Sequence, residues 1–90
     1  MSYDTDKKKI IVKATKHALN IENIMRSEGG RNYMNSLLQY CGVNEIMFDK
    51  DASQHSFNTG LRAVGVHIQN ELKEASPGFY IKMIEENINE

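Results

Sequence analysis

FNTGLRAVGVHI, residues 57–68, is the stretch on which the fold turns. Phe57, Leu61, Val64 and Ile68 recur at spacings of four, three and four, the period of one helix face. Carried on through Leu72, the stripe predicts a helix over 53–75 with these five residues facing inward. Gly60 and Gly65 oppose it, because each costs about 1 kcal/mol relative to alanine in a helix interior. A helix that keeps both is expected to use them for the close approach of another backbone, with Ala63 extending the small-residue surface. The sequence leaves open whether that backbone belongs to the same chain or to a partner.

Working outward, Ile10, Ala14, His17, Ile21 and Ile24 mark a first helix over 6–26. Ile11 and Val12 lie partly off its stripe, which implies a wide buried face or a contact with another chain. Ser27 can cap a second helix over 28–41, in which Met34, Leu37, Leu38 and Cys41 face one way. Gly42 should stop it, since the left-handed conformation just past a helix end is easiest for glycine. Residues 43–52 read as a loop pinned to the core by Ile46, Met47 and Phe48. Ser76-Pro77 is the clearest punctuation: serine as N-cap, proline as first helical residue, and a fourth helix over 77–88 with Tyr80, Met83, Ile84 and Ile88 inward. The expected fold is all-α, a small four-helix domain spanning 1–90 with residues 1–6 disordered.

Composition fits a modest globular core: 40% hydrophobic and 26% charged residues, with no apolar run near the roughly 20 residues of a membrane span. The N-terminus lacks a signal-peptide core, so a cytosolic origin is expected. One cysteine, Cys41, permits no internal disulfide. The net charge of -1 is unevenly spread, with seven Lys or Arg against five Asp or Glu in 1–45 and four against seven in 46–90. Lys7, Lys8, Lys9, Lys13 and Lys16 form a basic stretch, read as a solvated face or as an electrostatic contact to an acidic partner or nucleic acid. No aromatic is interleaved with these lysines, which weakens the nucleic-acid reading.

Catalytic and metal signatures are poorly matched. His17, His55 and His67 lie at no zinc-ligand spacing from one another or from Cys41, so no metal is expected. Asp49, Asp51 and Ser53 imitate the start of a calcium loop, but Gln54 and Gly60 stand where its glycine and final glutamate belong. Cys41 falls on an apolar stripe and reads as a small hydrophobe. Gly29-Gly30-Arg31 has no preceding strand and no following Gly-Lys-Ser or Gly-Lys-Thr, leaving at most a weak anion site at a helix start. Neighbouring Glu85 and Glu86 point apart on a helix. No enzyme and no cofactor are expected. Arg31 and Arg62 each lie beside small residues, suited either to an ion pair inside the domain or to an assembly contact.

The ordered set Gly30-Arg31, Leu37-Leu38, Cys41-Gly42-Val43, Phe48, Phe57-Asn58, Gly60, Arg62 and Val64-Gly65, followed by YIKMIE at 80–85, resembles a family of short tailed-bacteriophage proteins. The likeness covers about residues 27–86. Leu61 and Asn32–Tyr33 depart from it, standing where the family often has a second arginine or a large aromatic. Genes of that family usually lie in the virion morphogenesis region. The resemblance therefore implies a structural or assembly protein of the virion, found there or in the host cytoplasm, that docks onto portal, scaffold or coat proteins, with homo-oligomerisation open. It implies no catalytic residues. Gly30, Arg31, Cys41, Gly42, Phe57, Gly60, Arg62 and Gly65 become candidate interface or helix-packing residues. The alternative is a phage-encoded regulator that binds a host enzyme or nucleic acid through its basic N-terminal helix.

Overall fold

The structure, a computed structural model, describes the backbone of residues 3–44 and 50–88 and the side chains of residues 15–44 and 50–88. It is all-α: α1 (Tyr3–Arg26), α2 (Glu28–Tyr40), α3 (Ala52–Ala75) and α4 (Pro77–Asn87), with no strand among the described residues. The helix begins at Tyr3, so the segment expected to be disordered falls partly on helix and partly on residues 1–2, outside the described residues. Ile46, Met47 and Phe48, expected to pin the second loop, lie outside them as well.

Local chemistry sets the boundaries. Ser27 caps α2, its Oγ accepting from Gly30 N–H at 3.0 Å. Gly42 adopts φ 70°, and the end of α2 closes with Gly42 N–H on Gln39 carbonyl and Val43 N–H on Leu38 carbonyl. These are the paired bonds of a Schellman ending, with Val43 folded back into the core. Helix α3 starts one residue before the expected Ser53. Asp51 is its cap, with Oδ1 accepting from Gln54 N–H at 2.9 Å, because a carboxylate two residues upstream reaches the free amides first.

Ser76 occupies the expected position, but its side chain makes no capping bond. Its own N–H closes α3 on Leu72 carbonyl, and its backbone, at φ -149° and ψ 59°, departs from the extended geometry of a capping serine. The buried Oγ is left without a hydrogen-bond partner.

A core of Ile21, Met25, Leu38, Cys41, Val43, Leu72, Tyr80 and Met83 draws on all four helices. Several expected inward positions are corrected. Phe57 is 61% exposed and Val64 55%, and Ile24, Ile84 and Ile88 also face outward, as does His17. Met25, one residue beyond Ile24, is fully buried instead. The reason is that α1 ends wedged against α2, α3 and α4, so its inner face follows Ile21 and Met25, four residues apart.

The molecule is elongated, 55 × 33 × 15 Å with a radius of gyration of 16.6 Å. A compact chain of this length would have roughly 12 Å. Every buried position among the described side chains lies in residues 21–43 or 65–83. The first half of α3, residues 52–64, contributes none.

Candidate interaction face on helix α3

Five of the eight candidate residues are packing residues. Gly30 sits where a Cβ would run into the Ile24 carbonyl, so the tight α1–α2 turn requires it. Gly65 lies under the end of α2: a Cβ there would overlap Cys41 Cβ and come within 2.6 Å of Val43 Cγ1. What presses on Gly65 is the side chains of Cys41 and Val43 within the chain, where the approach of another backbone was expected. Cys41 and Gly42 are buried at the same junction.

Arg31 is the fifth. It is buried, at 4% exposure, and its guanidinium makes a two-pronged pair with Glu86: Nε to Oε1 at 2.7 Å and Nη2 to Oε2 at 2.9 Å. Nη1 donates to the carbonyls of Met25 and Arg26 at 3.1 and 3.0 Å, the open end of α1, and the group lies 5.7 Å from the centre of the Phe79 ring. One side chain therefore ties α1 and α2 to α4. Hydrogen bonds from Arg31 hold the Glu86 carboxyl below its ordinary value, and the bond to Glu86 raises the arginine further. The weak anion site at Gly29–Arg31 has little left to offer, since Ser27 takes the N–H groups of both Gly30 and Arg31.

Phe57, Gly60 and Arg62 fall in the other class. All three are exposed. Among the described residues nothing lies within 4 Å of a Cβ placed on Gly60, so no described neighbour explains that glycine. Phe57, Gly60 and Val64 stand three and four residues apart, within roughly 60° of one another around the helix. Together they form a continuous uncovered stripe. Arg62, five residues on from Phe57, is turned roughly 140° away and has no ion-pair partner among the described residues.

Charge sharpens the contrast. Residues 52–64 carry one formal charge, Arg62, whereas 65–75 carry Glu71, Lys73 and Glu74. A solvated helix surface normally gathers charge, and the central part of a protein interface is depleted of it. Here the more exposed half is the less charged. A second exposed apolar stripe, Ile81, Ile84 and Ile88, runs along α4 to its C-cap, flanking the buried Tyr80 and Met83. Sequence reasoning placed Val64, Ile84 and Ile88 inward and so missed both exposed stripes; stripe spacing reports a face but not which way it points.

The structure also gathers side chains that are distant in sequence. His17 of α1 contacts Glu71 of α3 through Nε2 and Oε2, and His67 Nε2 lies 3.4 Å from the other Glu71 oxygen. Among the described residues, no group of three or more His, Cys, Asp or Glu is placed to hold a metal ion. Nor is any helix among them long and apolar enough to cross a membrane. Of the basic stretch, Lys16 is exposed, and the side chains of Lys7, Lys8, Lys9 and Lys13 lie outside the described set.

The family model described as Bbp19-like phage protein matches residues 21–85. No curated protein and no solved structure matches the chain. The matched span includes both the packed end and the uncovered half of α3, and leaves out most of α1.

Proposed function

The chain belongs to the Bbp19-like phage protein family, and from that premise we propose that it is a non-enzymatic assembly or structural component of the virion, acting by docking onto other phage proteins. The observation that carries this reading is the first half of α3: mostly exposed, nearly uncharged, and built around a glycine that no neighbour among the described residues explains. Portal, scaffold or coat proteins are the partners, met in the virion or in the host cytoplasm during assembly. The apolar side of α4 offers a second face, so one small chain could join two neighbours.

Capture assays test this. Tagged chain co-expressed with each structural protein of its phage should retain at least one of them through high salt, because burial of apolar surface does not depend on screened charge. Val64→Asp or Ile84→Asp should lower that capture while leaving the helical circular dichroism intact, both positions being exposed. Capture of none of those proteins would sink the reading. Binding to a host protein or to nucleic acid that collapses steeply with salt would replace it with the regulator acting through its basic N-terminal helix.

A further inference from the structure

We propose that the cleft at the start of α4 is a carboxylate-binding site, filled by a carboxylate of the docked protein. This rests on the docking reading for the occupant being a protein and adds the chemistry by which α4 holds it.

The cleft, of about 450 Å³, lies where α3 gives way to α4, and is bounded by Glu22 of α1, Ser76 between the helices, and Gly78, Phe79 and Lys82 of α4. Its polar groups are nearly all donors. Tyr80 N–H reaches the Ser76 carbonyl, but the N–H groups of Gly78 and Phe79 ahead of it have no acceptor among the described residues. Pro77 has no N–H to offer. Lys82 is exposed and makes no ion pair among the described residues. Free amides, the positive end of the helix and an unpaired ammonium all favour an anion.

Ser76 turns this helix start into a site. It lines the cleft, is 5% exposed, and its Oγ has no hydrogen-bond partner. A serine in this position ordinarily gives its oxygen to the first amides of the helix. Here the backbone, at ψ 59°, departs from that geometry, so hydroxyl and amides are left open together. A buried hydroxyl without a partner is unfavourable. An oxyanion seated on the Gly78 and Phe79 amides would accept from it after rotation about one side-chain torsion, with no existing bond to break. Gly78 keeps the mouth clear: a Cβ there would meet none of the described residues within 4 Å, so internal packing does not explain the glycine.

The charges select the anion. Glu22 is the one carboxylate on the cleft, and its Oε1 accepts from Arg26 Nη2 at 3.1 Å. A doubly charged phosphate would face that carboxylate with only Lys82 to balance it. A singly charged carboxylate matches the single cation, and its carbon stem suits walls of Ala75, Pro77 and Phe79.

The test is an amide NMR titration of the full chain. N-acetylalanine and the α-amide of N-acetylaspartate supply a chain-terminal and a side-chain carboxylate, and N-acetylalanine amide is the uncharged control. Either carboxylate should shift the Gly78 and Phe79 amides saturably, the control should not, and the tighter of the two identifies the source. Lys82→Gln should weaken binding about 3-fold, and Lys16→Gln on α1 should leave it unchanged. Ser76→Ala should weaken it about 10-fold while raising the melting temperature of the free chain, because the unpaired hydroxyl is gone. The absence of a saturable shift overturns the proposal. So do tighter binding of inorganic phosphate, or equal shifts at Gly30 and Arg31, whose N–H groups Ser27 already takes. If no carboxylate binds but the chain still captures a phage structural protein, docking stands and only this site falls; carboxylate binding without any capture would have the opposite meaning.

Discussion

The two halves of α3 belong to one helix and live in opposite surroundings. From Gly65 to Ala75 the helix holds both its buried positions, Gly65 and Leu72, and carries its charges on the outside. From Ala52 to Val64 no residue is fully buried, although Leu61 packs partly against the core, and the segment is almost uncharged. Two glycines five residues apart illustrate the difference. Gly65 is small because Cys41 and Val43 press on it, whereas Gly60 is small with none of the described residues near its Cβ position. The same residue type in the same helix is a packing requirement in one half and, in our reading, an interface requirement in the other.

The largest effect should come from the packed end. Met25→Ala removes a fully buried side chain and is expected to cost about 2–5 kcal/mol in denaturant titration. A loss well under 1 kcal/mol would show that stability does not reside where burial places it.

Gly65→Ala should cost about 1–3 kcal/mol, since the added methyl meets Cys41 Cβ and Val43 Cγ1 and must push α2 from α3. An unchanged denaturation midpoint would remove the close-packing account of that glycine. A smaller change is expected against pH. The Glu86 carboxyl is held below its ordinary value by Arg31, so the pair stabilises fully above about pH 4.3 and loses its contribution as pH falls through the depressed value. Urea midpoints followed from about pH 6 to pH 3 should fall, and Glu86→Gln should flatten that part of the decline.

Gly60→Ala should act in the opposite direction, adding up to about 1 kcal/mol through helix propensity because its methyl meets open space. If it destabilises the isolated chain instead, the contrast between the two glycines is lost. The informative outcome is a pair of readings: thermal stability up and association down.

Four helices were legible because the sequence punctuates them: Ser27 and Gly42 do the capping their chemistry predicts, and Ser76-Pro77 marks the start of α4 although the serine side chain makes no capping bond. Faces were less legible. A stripe through Ile21 and Ile24 and one through Ile21 and Met25 differ by a single residue, and only packing against three other helices selects the second. Arg31 could be singled out beside its glycines, but not Glu86, which is 55 residues away and was read only as the neighbour of Glu85. Gly60 stands out as a glycine within a helical stripe, Phe57 by its place on that stripe and Arg62 by its small neighbours, and the family resemblance groups them; that all three are exposed comes from the structure. Periodicity treats α3 as one face from end to end, whereas the neighbours that would bury that face cover only its second half.

Cys41 gives the α2–α3 junction a built-in clock. It is the chain's only thiol, 2% exposed, with Sγ 3.4 Å from where a Cβ on Gly65 would sit. An alkylating reagent can reach it only when the end of α2 lifts from α3. The labelling rate therefore counts openings at this one place, and it would register whether events on the uncovered half of α3 are felt one turn further along the helix.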